Sequence, residues 1–236
     1  MSQVISLLHR PIYTYPQVDR LLGLTENTAR RWINGYKRGS RSYDPIIRPE
    51  ARNTTWVMWG EYVEARLLAG WRDFDRLPIP KLRQLAEYLR RESGEEFPLA
   101  THATLMRPEG PTMVWKAQQV AELPEDLAME VTTGQIVWTP VVQQLLDAAT
   151  FAPDTTPDQR QMVTDLSAAD DYPLIRLDVR RRGGEPVISG RNVRAATIAD
   201  LVAAGEQPDD IAEWYQLTIE EIDQAVGYFR SHLRIA

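Results

Sequence analysis

Two short amphipathic stretches separated by a glycine form the first regular pattern along the chain. Apolar residues between positions 15 and 22 share one helical face, and Gly23 ends this helix because glycine readily adopts the left-handed C-cap conformation. Thr25 is predicted to cap a second helix over residues 26–33. The positions where the two helices would touch are apolar: Val18, Leu22, Leu24, Ala29 and Trp32.

The stretch that follows is rich in glycine, arginine and serine. It leads into the short apolar piece Ile46-Ile47, a composition typical of the wing that follows some helix pairs. Longer amphipathic helices are predicted from Thr54 or Thr55 to Gly70 and from Pro80 to Gly94. The first 95 residues therefore read as one mostly helical domain.

From Phe97 onwards the period of the pattern shifts towards two, the spacing of a strand. One predicted β-hairpin turns at residues 108–111, and a second pairs 129–131 with 135–137. The arms of the first hairpin would be Leu105 and Met106 on one side and Met113, Val114 and Trp115 on the other. A helix over 140–149 precedes the polar, acidic stretch 152–171, predicted as a linker with a short helix at 157–168.

The last 65 residues have the pattern of a separate module. Strands near 175–179 and 186–188 precede helices that are predicted at Ala196–Ala204, Pro208–Trp214 and Thr218–Arg230. The last helix has a capping box, because Glu221 lies three residues after Thr218. Two helices joined by a short turn make this a second helix-turn-helix-like unit.

These elements predict a mainly α fold with small β-hairpins, divided into four parts. The parts are a winged helix-turn-helix-like domain (1–95), a β-hairpin and helix middle region (96–151), a linker (152–171) and a C-terminal helix-turn-helix-like module (172–236).

The net charge of −6 hides an uneven distribution. Residues 1–52 hold nine Lys and Arg but four Asp and Glu, whereas residues 111–171 hold two and ten. The basic head and acidic middle indicate different partners for different segments. Without cysteines, a signal peptide pattern or an apolar run of about 20 residues, the chain is expected to be cytoplasmic, with no membrane contact.

The outward face of the second helix and the loop after it carry the residue types that suit DNA. Asn and Arg side chains can contact base edges, while Thr and Lys suit phosphates. The predicted DNA-binding residues are Asn27, Thr28, Arg30, Arg31, Asn34, Lys37 and Arg38, with Arg41 nearby. Asp19 departs from the expected pattern because it puts a carboxylate where a small residue would suit the helix contact.

The C-terminal module is predicted to make protein contacts, because acidic residues around its turn would repel a phosphate backbone. Its apolar positions exceed the evident need of a small core, which favours a dimer or partner interface. These positions are Trp214, Leu217, Ile222, Val226, Tyr228 and Phe229. The run Arg180-Arg181-Arg182 is either a second phosphate contact or an exposed hairpin tip.

Catalysis has little support in the sequence. The three histidines are scattered, and no nucleotide-binding loop or nucleophile motif is present. We therefore expect no catalytic residues, no metal site, no cofactor and no enzymatic activity.

Two segments carry a family resemblance. The first is YTYPQVDRLLGLTENTARRWI, followed by the stretch from WGEYVEARLLAG to EEFPLA. The second is the C-terminal GGEPVISGRNVRAATIADLVAAGEQPDDIAEWYQLTIEEIDQAVGYF. Together they resemble bacterial antitoxins of the VapB type, which have a MerR-like helix-turn-helix and a C-terminal domain of unknown function. After Pro-Val-Ile the family usually has Gly-Thr-Arg-Ile, whereas this chain has Gly190-Arg191-Asn192-Val193.

The resemblance implies a type II toxin–antitoxin module. A PIN-domain ribonuclease toxin would be neutralised by this chain, which would also bind its own operator DNA as a homodimer. The alternative is a stand-alone MerR-like transcriptional regulator without a toxin partner. A protein-interaction scaffold that never touches DNA is a further possibility, and an enzyme comes last.

Overall fold

The structure is a computed structural model that describes residues 5–70, 79–101, 109–123, 129–132, 135–157 and 159–233. The chain divides into two compact units, Met1–Asp147 with Phe151–Val163, and Ala148–Thr150 with Thr164–Ala236. The helices are α1 (Tyr15–Leu21), α2 (Thr28–Asn34), α3 (Trp59–Gly70), α4 (Ile79–Ser93), α5 (Glu109–Val120), α6 (Pro140–Ala148), α7 (Ala195–Ala204), α8 (Pro208–Tyr215) and α9 (Ile219–Tyr228).

The strands form small sheets between the helices. They are β1 (Pro11–Thr14), β2 (Tyr36–Arg38), β3 (Arg41–Tyr43), β4 (Trp56–Met58), β5 (Met129–Thr132), β6 (Gln135–Trp138), β7 (Ala149–Pro153), β8 (Gln161–Ser167), β9 (Ile175–Asp178) and β10 (Pro186–Ile188). Within the described ranges, three sheets are two-stranded and antiparallel, pairing β1 with β4, β2 with β3 and β5 with β6, and a fourth has the order β7, β8, β9, β10. The fold is mainly α with small antiparallel sheets, as predicted.

The core of the first unit centres on the aromatic start of α3. Trp59 and Tyr62 are fully buried, and the indole Nε1 of Trp59 donates to the carbonyl oxygen of Val163 at 2.6 Å. Tyr13 on β1 packs against Tyr62 with ring centroids 4.9 Å apart. This core supports α3, the helix that anchors the N-terminal elements described below.

The C-terminal elements agree with the sequence pattern. The predicted strands are β9 and β10, which pair antiparallel with Ile175 opposite Ile188. The capping box of α9 is confirmed, because the Thr218 hydroxyl accepts from the Glu221 N–H at 3.1 Å and the Glu221 carboxylate accepts from the Thr218 N–H at 2.7 Å. The second predicted hairpin of the middle region is also confirmed as β5 and β6.

The predicted hairpin turn at 108–111 is wrong. Helix α5 begins at Glu109, and Pro111 lies in its first turn, where the missing N–H needs no partner. Val114, Ala117 and Ala121 are buried at helical spacing. Leu105 and Met106, the other proposed arm, lie outside the described residues.

The predicted linker is also wrong in its second half. Instead of a short helix, residues 161–167 form β8, in which Met162, Val163 and Leu166 are buried. The polar residues around this strand masked its short apolar pattern. Ile46 and Ile47 likewise form no strand; both are buried beyond the β2–β3 hairpin. No helix in the described ranges has the length and apolar character needed to cross a membrane.

Candidate nucleic-acid interface

Helix α2 begins where a side chain from α1 caps it. Asp19 is buried, and its carboxylate oxygens accept from the N–H of Asn27 at 2.8 Å and of Ala29 at 2.7 Å. The expected cap, Thr25, instead places its hydroxyl 2.8 Å from that of Thr28, and the helix begins two residues later than predicted. The apparent departure at Asp19 is therefore the residue that orients the start of α2.

Burial raises the pKa of Asp19, and the backbone donors of Ala29 and Asn27 offset part of that rise. These hydrogen bonds require an oxygen on each side of the carboxyl group. Asp19 thus links α1 and α2 through two backbone contacts rather than through apolar packing alone.

A buried guanidinium holds the other end of α2. Arg48 is 2% exposed, and its Nε and Nη2 donate to the two carboxylate oxygens of Glu61 at 2.5 and 2.9 Å. Its remaining donors reach the Tyr15 hydroxyl at 2.8 Å, the Asn34 Oδ1 at 2.7 Å and the Trp56 carbonyl oxygen at 2.8 Å. One side chain therefore ties α1, α2, β4 and α3 together.

The Arg48–Glu61 pair is complete in hydrogen bonds, as a buried pair must be. Glu61 also accepts from the N–H of Met58 at 2.8 Å, just before α3. Burial alone would lower the pKa of Arg48, but the hydrogen bonds and charge of Glu61 more than offset this effect and raise it. The pair and its hydrogen bonds fix the frame around α2.

The exposed face of α2 is narrower than the sequence predicts. Asn27 and Arg30 are exposed and Asn34 is half-buried, and their spacing places the three on one side of the helix. Thr28 is not on the outward face: it is buried, and its hydroxyl accepts from Arg31 Nη2 at 3.0 Å. Arg31 is exposed, but its side chain folds back along α2, with Nε donating to the Asn27 carbonyl oxygen at 3.2 Å.

The β2–β3 hairpin follows α2 directly. Tyr36 and Tyr43 pair across it, with their rings stacked at a centroid distance of 4.5 Å and an angle of 7°. The side chains of Lys37, Arg38 and Arg41 are exposed and make no hydrogen bond or ion pair within the described part of the chain. The near-symmetric run YKRGSRSY is a sequence signal for this hairpin that pattern analysis missed.

Gly35 joins α2 to this hairpin at a point of close approach. Its φ is +70°, and a Cβ atom there would lie 2.4 Å from the carbonyl oxygen of Tyr43. Only glycine fits both the backbone conformation and the space. This residue therefore sets the distance between helix and hairpin.

Two open grooves flank the exposed face of α2. One, of about 860 Å³, lies between α2 and the hairpin, and Asn27, Arg30, Asn34 and Lys37 contribute to its lining. The other, of about 620 Å³, lies between α2 and residues 52–55. The face with Asn27, Arg30 and Asn34 lines both grooves, so it forms a ridge between them. The Arg30 side chain makes no hydrogen bond or ion pair with any described residue.

The other candidate sites look different. Leu217, Ile222 and Tyr228 are buried, so the prediction that they form an interface is wrong: they fill the module's own core. Val226 and Phe229 are half-buried, and Trp214 is 57% exposed. Ile219, which the sequence analysis did not select, is 42% exposed.

The three arginines at positions 180–182 in the second unit pair with neighbouring side chains and backbone oxygens of the same unit. Arg180 donates to both carboxylate oxygens of Asp178, and Arg181 lies 3.3 Å from the same carboxylate. Arg182 donates to the side-chain and backbone oxygens of Asn192. The run stabilises the loops around β9 and β10.

The histidines and carboxylates of the described residues are the side chains that could form a metal site. Across the described ranges, no three His, Asp or Glu side chains cluster as a metal site requires. His9 contacts Glu96 at 2.8 Å, His232 stacks on Tyr228, and His102 lies outside the described residues.

Comparisons with known proteins extend over most of the chain. Residues 175–229 match the family described as protein of unknown function DUF433. The X-ray crystal structure of Rv2018 from Mycobacterium tuberculosis has the same fold, with a TM-score of 0.70, 20% identity and coverage of 92% of this chain and 98% of that one.

Two relatives from Mycobacterium tuberculosis align along nearly their full length. The putative antitoxin VapB45 is 26% identical over 231 residues, which cover 92% of each chain. The uncharacterized protein Rv2308 is 34% identical over 233 residues, which cover 97% of this chain and 94% of the relative. The chain belongs to the family of Rv2308.

Proposed function

We propose that this chain is a DNA-binding antitoxin in which α1 and α2 form a helix-turn-helix of the MerR-like kind and the β2–β3 hairpin is its wing. The observation that carries the DNA-binding part is the groove between α2 and the hairpin, where Arg30 and Lys37 stand exposed without an internal partner. Cations left unpaired in this way suit phosphate oxygens.

The dimensions of α2 also support this role. With its side chains an α-helix is about 10–12 Å across, and the major groove of B-DNA is about 12 Å wide and can admit it. The ridge formed by Asn27, Arg30 and Asn34 would enter the groove, while Lys37, Arg38 and Arg41 on the wing contact the backbone. Arg31 plays a smaller part than predicted, because its side chain is held along the helix.

The DNA-binding proposal predicts that Arg30→Ala with Lys37→Ala weakens binding to a fragment upstream of the chain's own gene by about tenfold or more. Loss of two phosphate contacts should also reduce the slope of log affinity against log salt by about two. Electrophoretic mobility shifts at several salt concentrations measure both. Arg91→Ala is the matched control, because Arg91 is exposed on α4 and lines neither groove. Equal affinity of the double variant and wild type would contradict the proposal.

The antitoxin part rests on the similarity to a protein named as a putative antitoxin, which extends over 92% of both chains. In this proposal the chain binds and neutralises a PIN-domain ribonuclease toxin and represses their common promoter in the cytoplasm. Co-expression with the neighbouring gene tests it. Relief of growth arrest and co-purification are expected, and a neighbouring product that neither arrests growth nor binds the chain would contradict it.

The second unit would supply a homodimer contact in this scheme. Between residues 195 and 229 there are eight Asp and Glu and no Lys or Arg, which disfavours contact with DNA. Trp214 and Ile219 are the exposed apolar side chains on this acidic surface. Light scattering of Trp214→Asp should give a monomer, whereas Val120→Asp, at an exposed site in the first unit, should not alter the mass. A dimer retained in Trp214→Asp would place the contact elsewhere.

A further inference from the structure

The side-chain amide oxygen of Asn34 faces the protein interior and is hydrogen-bonded there. Its Oδ1 accepts from Nη1 of Arg48 and from the backbone N–H of Arg52, both at 2.7 Å. Both partners can only donate hydrogen bonds, so the oxygen must face them. A flipped amide would put an NH2 group against two donors.

Arg48 cannot turn away to release this oxygen. The Arg48 side chain is buried, and its other donors are engaged by Glu61, Tyr15 and Trp56. Any rotation of the Asn34 amide would leave donors of Arg48 and Arg52 without an acceptor.

The other end of the amide, the Nδ2 of Asn34, is not held by such contacts. It makes no hydrogen bond within the described residues, and Asn34 lines both grooves beside Asn27 and Arg30. The free edge of Asn34 is therefore an NH2 group at the ridge of the DNA-binding face. Asn27 differs, because its amide has no side-chain partner in the described structure and can turn either edge outward.

We propose that Asn34 is a donor-only contact, which takes a hydrogen-bond acceptor on DNA, either a phosphate oxygen or an acceptor on a base edge. This proposal rests on the DNA-binding role proposed above and adds a specificity to it. Two-point recognition of adenine needs the amide oxygen to accept from the adenine amino group. Asn34 cannot supply that oxygen, so among these two residues only Asn27 is able to read adenine in this way.

The test replaces the donor and keeps the internal acceptor. In Asn34→Asp, one carboxylate oxygen still accepts from Arg48 and Arg52, while the other replaces the NH2 group. Asn53→Asp is the control, because it adds the same charge beside the second groove at an exposed residue to which no DNA contact is assigned. Titrations use the fragment upstream of the gene and a 30-base-pair duplex of random sequence, followed by fluorescence anisotropy.

We expect Asn34→Asp to bind at least about tenfold more weakly than Asn53→Asp, with an unchanged thermal midpoint of unfolding. An equal loss on both DNAs identifies a phosphate contact, and a larger loss on the upstream fragment identifies a base contact. Equal affinities of the two variants would overturn the donor-only contact and leave the DNA-binding proposal intact. Absence of binding by wild type would overturn both.

A second measurement covers the case in which Asn34→Asp fails to fold. In the wild-type chain, the side-chain NH2 resonances of Asn34 should shift and exchange more slowly with water when DNA is added. Resonances that stay unchanged at saturating DNA would overturn the proposal without any variant.

Discussion

At the scale of single residues, the polar side chains that organise α2 point inward. Asp19 caps its start, and Arg48 holds its end through Asn34. Sequence periodicity identified Asn27, Arg30 and Arg31 as outward, but it misplaced the buried Thr28 and read Asp19 as a misfit. A cap that comes from another helix, eight or ten residues earlier, has no local sequence signature. The only sequence sign of the Arg48 contacts is that this charged residue directly follows the apolar pair Ile46-Ile47.

Asp19→Ala should reduce the free energy of unfolding by about 1–2 kcal/mol, because two backbone N–H groups at the start of α2 lose their acceptors. Asp19→Asn retains one acceptor oxygen but places its NH2 group against the other backbone N–H, so it should be destabilised as well. Urea unfolding followed by circular dichroism measures both. If both variants unfold at the wild-type urea concentration, the cap does not contribute to stability.

At the scale of elements, local chemistry explains which predictions succeeded. The start of α9 was predictable because Thr218 and Glu221 satisfy each other within one turn. Helix α5 was not, because Pro111 suits a turn and a first helical turn equally, and only packing decides. Strand β8 was missed because its neighbours are acidic and polar. The prediction of the N-terminal helices from their apolar faces placed both within two or three residues.

The link between α2 and the wing provides a prediction at this scale. Gly35→Ala should displace the hairpin, since its Cβ would lie 2.4 Å from a backbone oxygen. Gly39→Ala is the matched control, because Gly39 has a similar φ of +60° but open space around its Cβ position. The control should cost only about 1–2 kcal/mol of left-handed strain, and Gly35→Ala more. Nuclear Overhauser contacts between the Tyr36 and Tyr43 rings should be lost in Gly35→Ala alone. Equal stability of the two variants would contradict this reading.

At the scale of the whole molecule, the division into units differs from the division predicted along the chain. Residues 148–150 belong with 164–236, so a cut at residue 171 would separate β8 from β9. Truncation there is therefore a poor test of dimerisation, and point substitutions at exposed sites are preferable. A contiguous boundary was the natural expectation, because a polar stretch in sequence does not reveal which strands pair across it.

The stability of the whole chain should depend on pH through a buried carboxyl on α3. Burial raises the pKa of Glu64 from 4.5 to about 7, and the Arg90 charge only partly offsets this effect. Between these values the folded chain holds a proton that the unfolded chain has released. This contribution to stability is complete below about pH 4.5 and is lost as the pH rises through 7.

The corresponding variant is Glu64→Gln, which resembles the protonated group at every pH. Relative to this variant, wild type should lose about 3 kcal/mol of unfolding free energy between pH 4.5 and 8. Urea titrations across this range measure the difference. A wild-type to Glu64→Gln difference that stays constant with pH would disprove the raised pKa.

The inward anchoring of α2 has a consequence for how such proteins can diverge. Asp19 and Arg48 hold the helix from within, and Gly35 holds the hairpin, so none of the three depends on the identity of Asn27, Arg30 or Lys37. Descendants could therefore exchange the outward residues, and with them the proposed DNA specificity, without rebuilding the scaffold. Asn34 is the exception, since it serves both the interior and the surface, and it should evolve only together with Arg48.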